Sequence, residues 1–146
     1  MDTRKFNKGN VKMVAHRGVS GLERENTVPA FLAAGQRSYF GVETDVRVTK
    51  DGKFVLHHDS TPERVSNGKH TMIIEESTLA ELQATVLPDK DGSEIRQDIR
   101  IPSLAEYVQV CKKYDKKCVL EIKTPFTADQ LAQMVEEKRL RTTLTV

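Results

Sequence analysis

Seven side chains in this sequence are of types that move protons or hold cations and phosphates: His16, Arg17, Glu43, Asp45, His58, Glu121 and Lys123. All fall in or at the ends of short apolar runs. From Val42 to Thr49 the chain alternates, with Val42, Thr44, Val46 and Val48 on one face and Glu43, Asp45 and Arg47 on the other. Residues two apart on a strand point the same way, so Glu43 and Asp45 share a surface. Taken alone, this strand reads most simply as half-exposed, with a solvated polar face of the kind common in antiparallel sheets. Asp51-Gly52 is a two-residue hairpin signal. Such a turn pairs Lys50 with Lys53 and, counting back, Val48 with Val55 and Asp45 with His58. That register places His58 across from Asp45 on the polar face. A histidine beside carboxylates, with Asp59 next in sequence, has its protonated form favoured and suits proton transfer near neutral pH. His57 points the other way and reads as surface filler or a satisfied hydrogen-bonding residue.

The run from Cys118 to Lys123 repeats the arrangement, with Val119, Glu121 and Lys123 on one face and Leu120 and Ile122 on the other. A buried, unpaired acid costs several kcal/mol, so Glu121 needs a partner. That partner is a cation, or, in the plainer reading, Lys123 in an exposed pair on an edge strand. Three carboxylates (Glu43, Asp45, Glu121) select a hard divalent ion, calcium or magnesium, over zinc. Arg17 offers a planar fork for phosphate. Two histidines flanking a phosphate serve as general base and general acid in a displacement at phosphorus. The chemistry these residues support is metal-assisted phosphoester hydrolysis.

Secondary-structure signals supply elements to hold these groups. Val11 to Ala15 reads as a short buried strand ending in His16-Arg17-Gly18. A helix is expected from Thr27, with Pro29 in its first turn, where a missing N–H costs nothing, and Val28, Phe31, Leu32 and Gly35 on one face. Phe54 to His58 is the returning hairpin strand. Residues 60–77 carry turn formers and one apolar piece, Met72 to Ile74. Three later helices begin with capping boxes: Thr78 with Glu81, Ser103 with Glu106, and Thr127 with Gln130. Leu104, Tyr107, Val108 and Cys111 fall at helical spacing. Pro88 to Asp98, polar and with an Asp91-Gly92 turn, reads as a surface loop, and Arg141 to Val146 begins one more strand. Strands alternating with helices imply an α/β fold with a mainly parallel sheet, whose sites lie at the carboxyl ends of its strands.

The chain has 146 residues, 23 basic and 21 acidic, for a formal charge of +2, with 38% apolar and 30% charged residues. That balance describes a globular domain rather than a disordered chain, and it excludes a strongly basic nucleic-acid binder. No apolar run approaches the roughly 20 residues of a membrane helix. The polar start shows no secretory signal. Cys111 and Cys118 lack a CxxC spacing, which fits a reduced, cytoplasmic setting and disfavours a disulfide between them. The expected organisation is a flexible stretch over residues 1–10 and one domain over residues 11–146.

The order of these motifs resembles the glycerophosphodiester phosphodiesterase family. The resemblance rests on His16-Arg17-Gly18 leading into Glu25-Asn26-Thr27, then Glu43-Thr44-Asp45-Val46. Thr49-Lys50-Asp51-Gly52 follows, closing on Val55-Leu56-His57-His58-Asp59, and then Leu120-Glu121-Ile122-Lys123. Thr78-Leu79-Ala80-Glu81-Leu82 and Ile101-Pro102-Ser103-Leu104 also look like its connecting helices. The resemblance implies a TIM barrel of βα units and hydrolysis of a glycerophosphodiester, such as glycerophosphocholine or glycerophosphoethanolamine, to glycerol 3-phosphate and an alcohol. It further implies His16 and His58 as the acid/base pair, Glu43, Asp45 and Glu121 as ligands of Ca2+ or Mg2+, Arg17 and Lys123 on the phosphate, and Glu25 in support. Two departures stand out. Arg24 occupies a position where the family usually has proline, and residues 136–146 lack the family pattern. A complete eight-fold barrel takes about 250 residues, so the expectation is a truncated barrel of about half that size. Its alternative function is a catalytically impaired half-barrel acting through self-association, as a homo-oligomer, or through a partner. A third reading is a related enzyme that cyclises its substrate.

Overall fold

The computed structural model describes residues 9–138 and 142–145, with side chains described through residue 136. Most of the expected flexible start, residues 1–8, lies outside the described residues. The central element is β2 (Gly41–Val48). One edge pairs in parallel with β6 (Lys117–Ile122), from Gly41 opposite Lys117 to Val46 opposite Ile122. The other edge takes β1 (Val14–Ala15) at its start, in parallel, and β3 (Phe54–Leu56) at its end, antiparallel. Beyond β6 lies β7 (Thr142–Thr145), again parallel, so the expected last strand forms over residues 142–145.

Between the parallel strands run helices. The helix α1 (Val28–Gly35) links β1 to β2 and carries Pro29 in its first turn. A longer passage from β3 to β6 contains α2 (Leu79–Ala84) and α3 (Leu104–Lys113). The helix α4 (Ala128–Lys138) links β6 to β7. All three capping boxes form, the cap hydroxyl accepting from the N3 backbone N–H and the N3 carboxylate or amide oxygen accepting from the cap residue's backbone N–H. These bonds satisfy helix N–H groups that would otherwise lack partners. Among the described residues, no helix is long and apolar enough to cross a membrane.

The main core lies between the sheet and α1 and α3. Phe31, Val42, Val46, Leu56, Leu104, Tyr107 and Leu120 are fully buried there. The rings of Phe31 and Tyr107 meet edge to face at 5.0 Å. The Tyr107 hydroxyl donates to Val42 O at 2.6 Å and accepts from Val119 N at 3.1 Å, bridging β2 and β6. A second apolar cluster, with Val65, Ile74, Leu82, Leu87, Ile99 and Ile101, builds the passage between β3 and α3. Cys111 and Cys118 are buried free thiols.

Four local expectations are corrected. The Asp51-Gly52 turn is not a two-residue loop. Thr49 N donates to Lys53 O, and Gly52, at φ +74°, sits in the left-handed region. The result is a three-residue connection, a type I turn followed by a glycine bulge. The register then pairs Val48 with Phe54 and Val46 with Leu56, one residue from the expected pairing. In it His57, not His58, donates its backbone N–H to Asp45 O. Pro88 to Asp98 is not all surface loop. Its ends belong to a hairpin of β4 (Val86–Pro88) and β5 (Ile95–Arg100), whose Leu87 and Ile99, with Ile101 just past β5, fill the second cluster. Only Ala15 of β1 is buried, Val14 being 40% exposed. Finally, the polar face of β2 is not solvated, because Asp45 is 0% exposed.

His57 is 4% exposed, with Nε2 at 3.2 Å from Thr61 O, and burial pushes its pKa down to about 4. A histidine whose folded pKa lies below its unfolded value near 6.5 contributes stability above that value and loses it as the pH falls toward the folded pKa. The expected loss at His57 is about 3 kcal/mol between pH 6.5 and pH 4. Comparing denaturant unfolding of the wild type and His57→Gln across that window isolates it, and parallel pH profiles would refute it.

Candidate active site

The carboxyl ends of β1 and β6 and the body of β2 carry six of the seven residues singled out above, and the loop after β3 carries His58. The loop after β1 folds by left-handed residues. Arg17 (φ +58°), Gly18 (φ +76°) and Asn26 (φ +52°) all lie in that region. Only glycine fits at position 18, where a Cβ would come 2.7 Å from Ala30. Asn26 N donates to Arg17 O at 3.0 Å, closing the loop. The closure brings the Asn26 amide onto Asp45, Nδ2 donating to Oδ2 at 2.8 Å, while Asn26 Oδ1 accepts from Thr44 Oγ1 at 2.9 Å. Asn26 is the site residue that sequence reading left without a role. Its one local signal is an Asx residue just before a helix, a type that tolerates left-handed backbone.

Three carboxylates meet at the centre. Asp45 on β2 stands opposite Glu121 on β6, and Glu43 lies two residues back on the same face. One ligand oxygen from each lies within 4.8 Å of the others. Glu43 Oε1 and Asp45 Oδ1 are buried and have no hydrogen-bond partner. The surrounding cations compensate in part: Lys123 Nζ lies 2.8 Å from Glu121 Oε1 and 3.8 Å from Asp45 Oδ1, and Arg17 Nε lies 3.6 Å from Asp45 Oδ2. Burial, reinforced by the charges of Asp45 and Glu121, raises the Glu43 carboxyl to about 7. Glu121 is held below the ordinary range by its Lys123 hydrogen bond and charge, with a smaller contribution from the charge of His58. An all-oxygen set of crowded carboxylates with unpartnered buried oxygens fits a hard divalent cation.

The two histidines come from different loops, after β1 and after β3. His16 Nε2 lies 3.5 Å from Glu43 Oε2, with its side chain 67% exposed. His58 arrives from the loop after β3, outside the strand ladder. Arg47 shapes that exit, donating to His57 O at 3.2 Å and His58 O at 2.6 Å. His58 Nδ1 lies 2.6 Å from Asp59 Oδ1. Glu25 accepts from Arg17 Nη1 at 2.9 Å and from both Nη atoms of Arg64. The structure thus brings together Glu43, Asp45, Glu121, Arg17, Lys123 and His16, with Glu25 beside Arg17 and His58 close enough for its charge to act on Glu121. Sequence reading did not assign Arg64, whose partners lie 5 and 39 residues away. No local pattern announces contacts of that range.

Comparison with known proteins places this arrangement. The profile described as the glycerophosphoryl diester phosphodiesterase family matches residues 16–144. A glycerophosphodiester phosphodiesterase from Caldanaerobacter subterraneus subsp. tengcongensis is 34% identical over 129 residues, covering 88% of this chain and 51% of that protein. Glycerophosphodiester phosphodiesterase 1 of Mus musculus is 33% identical over 116 residues, covering 77% of this chain and 34% of that protein. Among solved structures, an Oleispira antarctica phosphodiesterase in complex with the product sn-glycerol-3-phosphate superimposes with a TM-score of 0.77 at 30% identity. That match covers 92% of this chain and 56% of the other. A glycerophosphodiester phosphodiesterase from Thermotoga maritima gives a TM-score of 0.70 at 29% identity, over 94% of this chain and 62% of that one. The chain spans about half the length of the curated relatives it matches. Its parallel strands and connecting helices are correspondingly part of a TIM barrel.

The crowding of carboxylates has a measurable cost. A carboxyl whose folded pKa is raised loses stability as the pH climbs from its unfolded value through the folded one, here from about 4.5 to about 7 at Glu43. In chelator, Glu43→Gln is expected to raise stability at pH 8 by about 1–3 kcal/mol, and by much less at pH 5. Thermal melts at the two pH values check this, and an equal or opposite effect would refute it.

Proposed function

This chain belongs to the glycerophosphoryl diester phosphodiesterase family, and on that premise we propose that its site hydrolyses glycerophosphodiesters to glycerol 3-phosphate and an alcohol. The observation that carries this reading is the cluster of Glu43, Asp45 and Glu121, with ligand oxygens within 4.8 Å of one another, flanked by two histidines and two cations.

In this reading Glu43, Asp45 and Glu121 hold Ca2+ or Mg2+, which when bound supplies Lewis-acid polarisation of a phosphoryl oxygen. Arg17 and Lys123 bind the phosphate and offset the charge that builds on its oxygens. Glu25, bonded to the Arg17 guanidinium, orients that fork. His16 and His58 divide the proton transfers. One accepts the proton of the attacking oxygen as its bond to phosphorus forms. The other donates a proton to the alcohol oxygen as the phosphorus–oxygen bond to it breaks. Asp59 accepts from the His58 ring in the neutral Nδ1–H form, leaving Nε2 free to take part.

The test is hydrolysis of sn-glycero-3-phosphocholine by the full chain, with products separated by chromatography. Free choline with glycerol 3-phosphate is expected, lost with chelator and restored by calcium or magnesium. His16→Ala and His58→Ala are each expected to lower kcat by about 10²–10⁴-fold, and Glu121→Gln to weaken the metal dependence. A cyclic phosphate product would transfer the site to the cyclising reading. Retention of more than roughly a tenth of the activity by either histidine variant would overturn the acid/base roles, being far smaller than the usual effect of such a group.

A further inference from the structure

One charged circuit around the site involves a residue to which the reading above gives no part. Arg64 stands in the short turn Arg64–Ser66, well outside the strands that carry the site. Its Nε donates to Asp59 Oδ2 at 2.9 Å and its Nη2 to Asp59 Oδ1 at 3.3 Å. The same guanidinium donates Nη1 to Glu25 Oε1 at 2.8 Å and Nη2 to Glu25 Oε2 at 2.9 Å. Asp59 in turn meets His58 Nδ1, and Glu25 meets Arg17. One planar fork therefore holds both the carboxylate that meets His58 and the carboxylate that meets Arg17.

From these contacts the geometry points to Arg64 as a positioning residue that locks Asp59 against His58 Nδ1, so that Nε2 is the ring nitrogen presented for proton transfer. The inference rests on the acid/base role proposed for His58. Two features of the molecule support it beyond the contacts themselves. Burial works to raise Asp59, yet its bonds to Arg64 and His58 outweigh that and hold it near 2. It therefore stays an acceptor, able to take a hydrogen bond from Nδ1. At Glu25 burial also pushes upward, and the Arg64 hydrogen bond and charge, with those of Arg17, keep it ionised. The fork geometry matters too. A bidentate guanidinium fixes the plane of a carboxylate, whereas an ammonium is a point charge without that directionality. Which histidine nitrogen carries the proton is set by the bond that the other nitrogen makes, so an acceptor held in place decides the tautomer.

The experiment is long-range 1H–15N correlation on the histidine rings of the full chain, at alkaline pH where the imidazoles are neutral, with thermal melts confirming that each variant is folded. In the wild type the His58 signal is expected to be the Nδ1–H form, with a bare Nε2. Asp59→Ala should move the Nε2 resonance toward its protonated position. Arg64→Gln should shift it the same way, and so should Arg64→Lys, which keeps the charge and loses the fork. Arg64 is about half exposed, so these substitutions do not open the core, and Arg64→Lys serves if Arg64→Gln fails to fold. A wild-type tautomer in either Arg64 variant that folds, or an Nε2–H ring in the wild type itself, would overturn the proposal. The tautomer is read without turnover. Absence of hydrolysis by a wild-type chain that shows these shifts would instead count against the function proposed above and leave the positioning role standing.

Discussion

The structure is organised around three like charges gathered about one buried carboxylate. Asp45 is fully buried on the central strand, with Glu43 beside it and Glu121 facing it across β2 and β6. Such a cluster repels itself in a medium of low dielectric, and each carboxylate needs compensation to remain ionised. Much of the local architecture supplies that compensation. The left-handed turns at Arg17 and Asn26 deliver a guanidinium and an amide to Asp45. Lys123, two residues beyond Glu121, brings an ammonium between the strands. The oxygens left without partners, Glu43 Oε1 and Asp45 Oδ1, mark where the protein's own groups stop short.

This arrangement also explains why a small set of loops carries so many bonds. The loop after β1 is joined to the β4–β5 hairpin through Arg24, which donates to Pro88 O and Asp89 O. A second link runs through Glu23 and Arg96. Arg24, just before Glu25-Asn26-Thr27, is therefore tied into the structure. Its guanidinium anchors the hairpin to the loop that holds Arg17 and Glu25. The neighbouring Arg47 likewise binds Glu75, which accepts in turn from Thr124 just past β6. Polar cross-links of this kind join segments that share little apolar contact.

What was legible in the sequence follows from the range of the interactions. Capping boxes depend on residues three apart, and all three formed as read. The alternation on β2 and β6 placed Glu43, Asp45 and Glu121 on one surface, because side-chain direction along a strand is a local property. The hairpin register was misread because Asp51-Gly52 serves equally in a two-residue turn and in a type I turn with a glycine bulge. Flanking residues such as Thr49 tip that balance, its hydroxyl donating to Asp51 Oδ1 and accepting from Lys53 N. His58 reaches the site even so, since the chain leaves the ladder at Leu56 and Arg47 redirects it. The β4–β5 hairpin went unread because its apolar residues are sparse and its polar ones face outward. Arg64 and Asn26 act through contacts across the fold, which spacing does not encode.

The Tyr107 hydroxyl has a consequence for the spacing of the carboxylates. It bonds Val42 on β2 and Val119 on β6, three and two residues before Asp45 and Glu121. The separation of the two strands leading to these carboxylates is thus gauged from behind the sheet, by an aromatic ring wedged against Phe31. Small divalent ions demand short, regular coordination, whereas larger ones tolerate wider and looser shells, so selectivity turns on the size and stiffness of the cage. Here the stiffness of the carboxylate cluster is a property of helix-on-sheet packing, set from the far side of the sheet by the hydrophobic core.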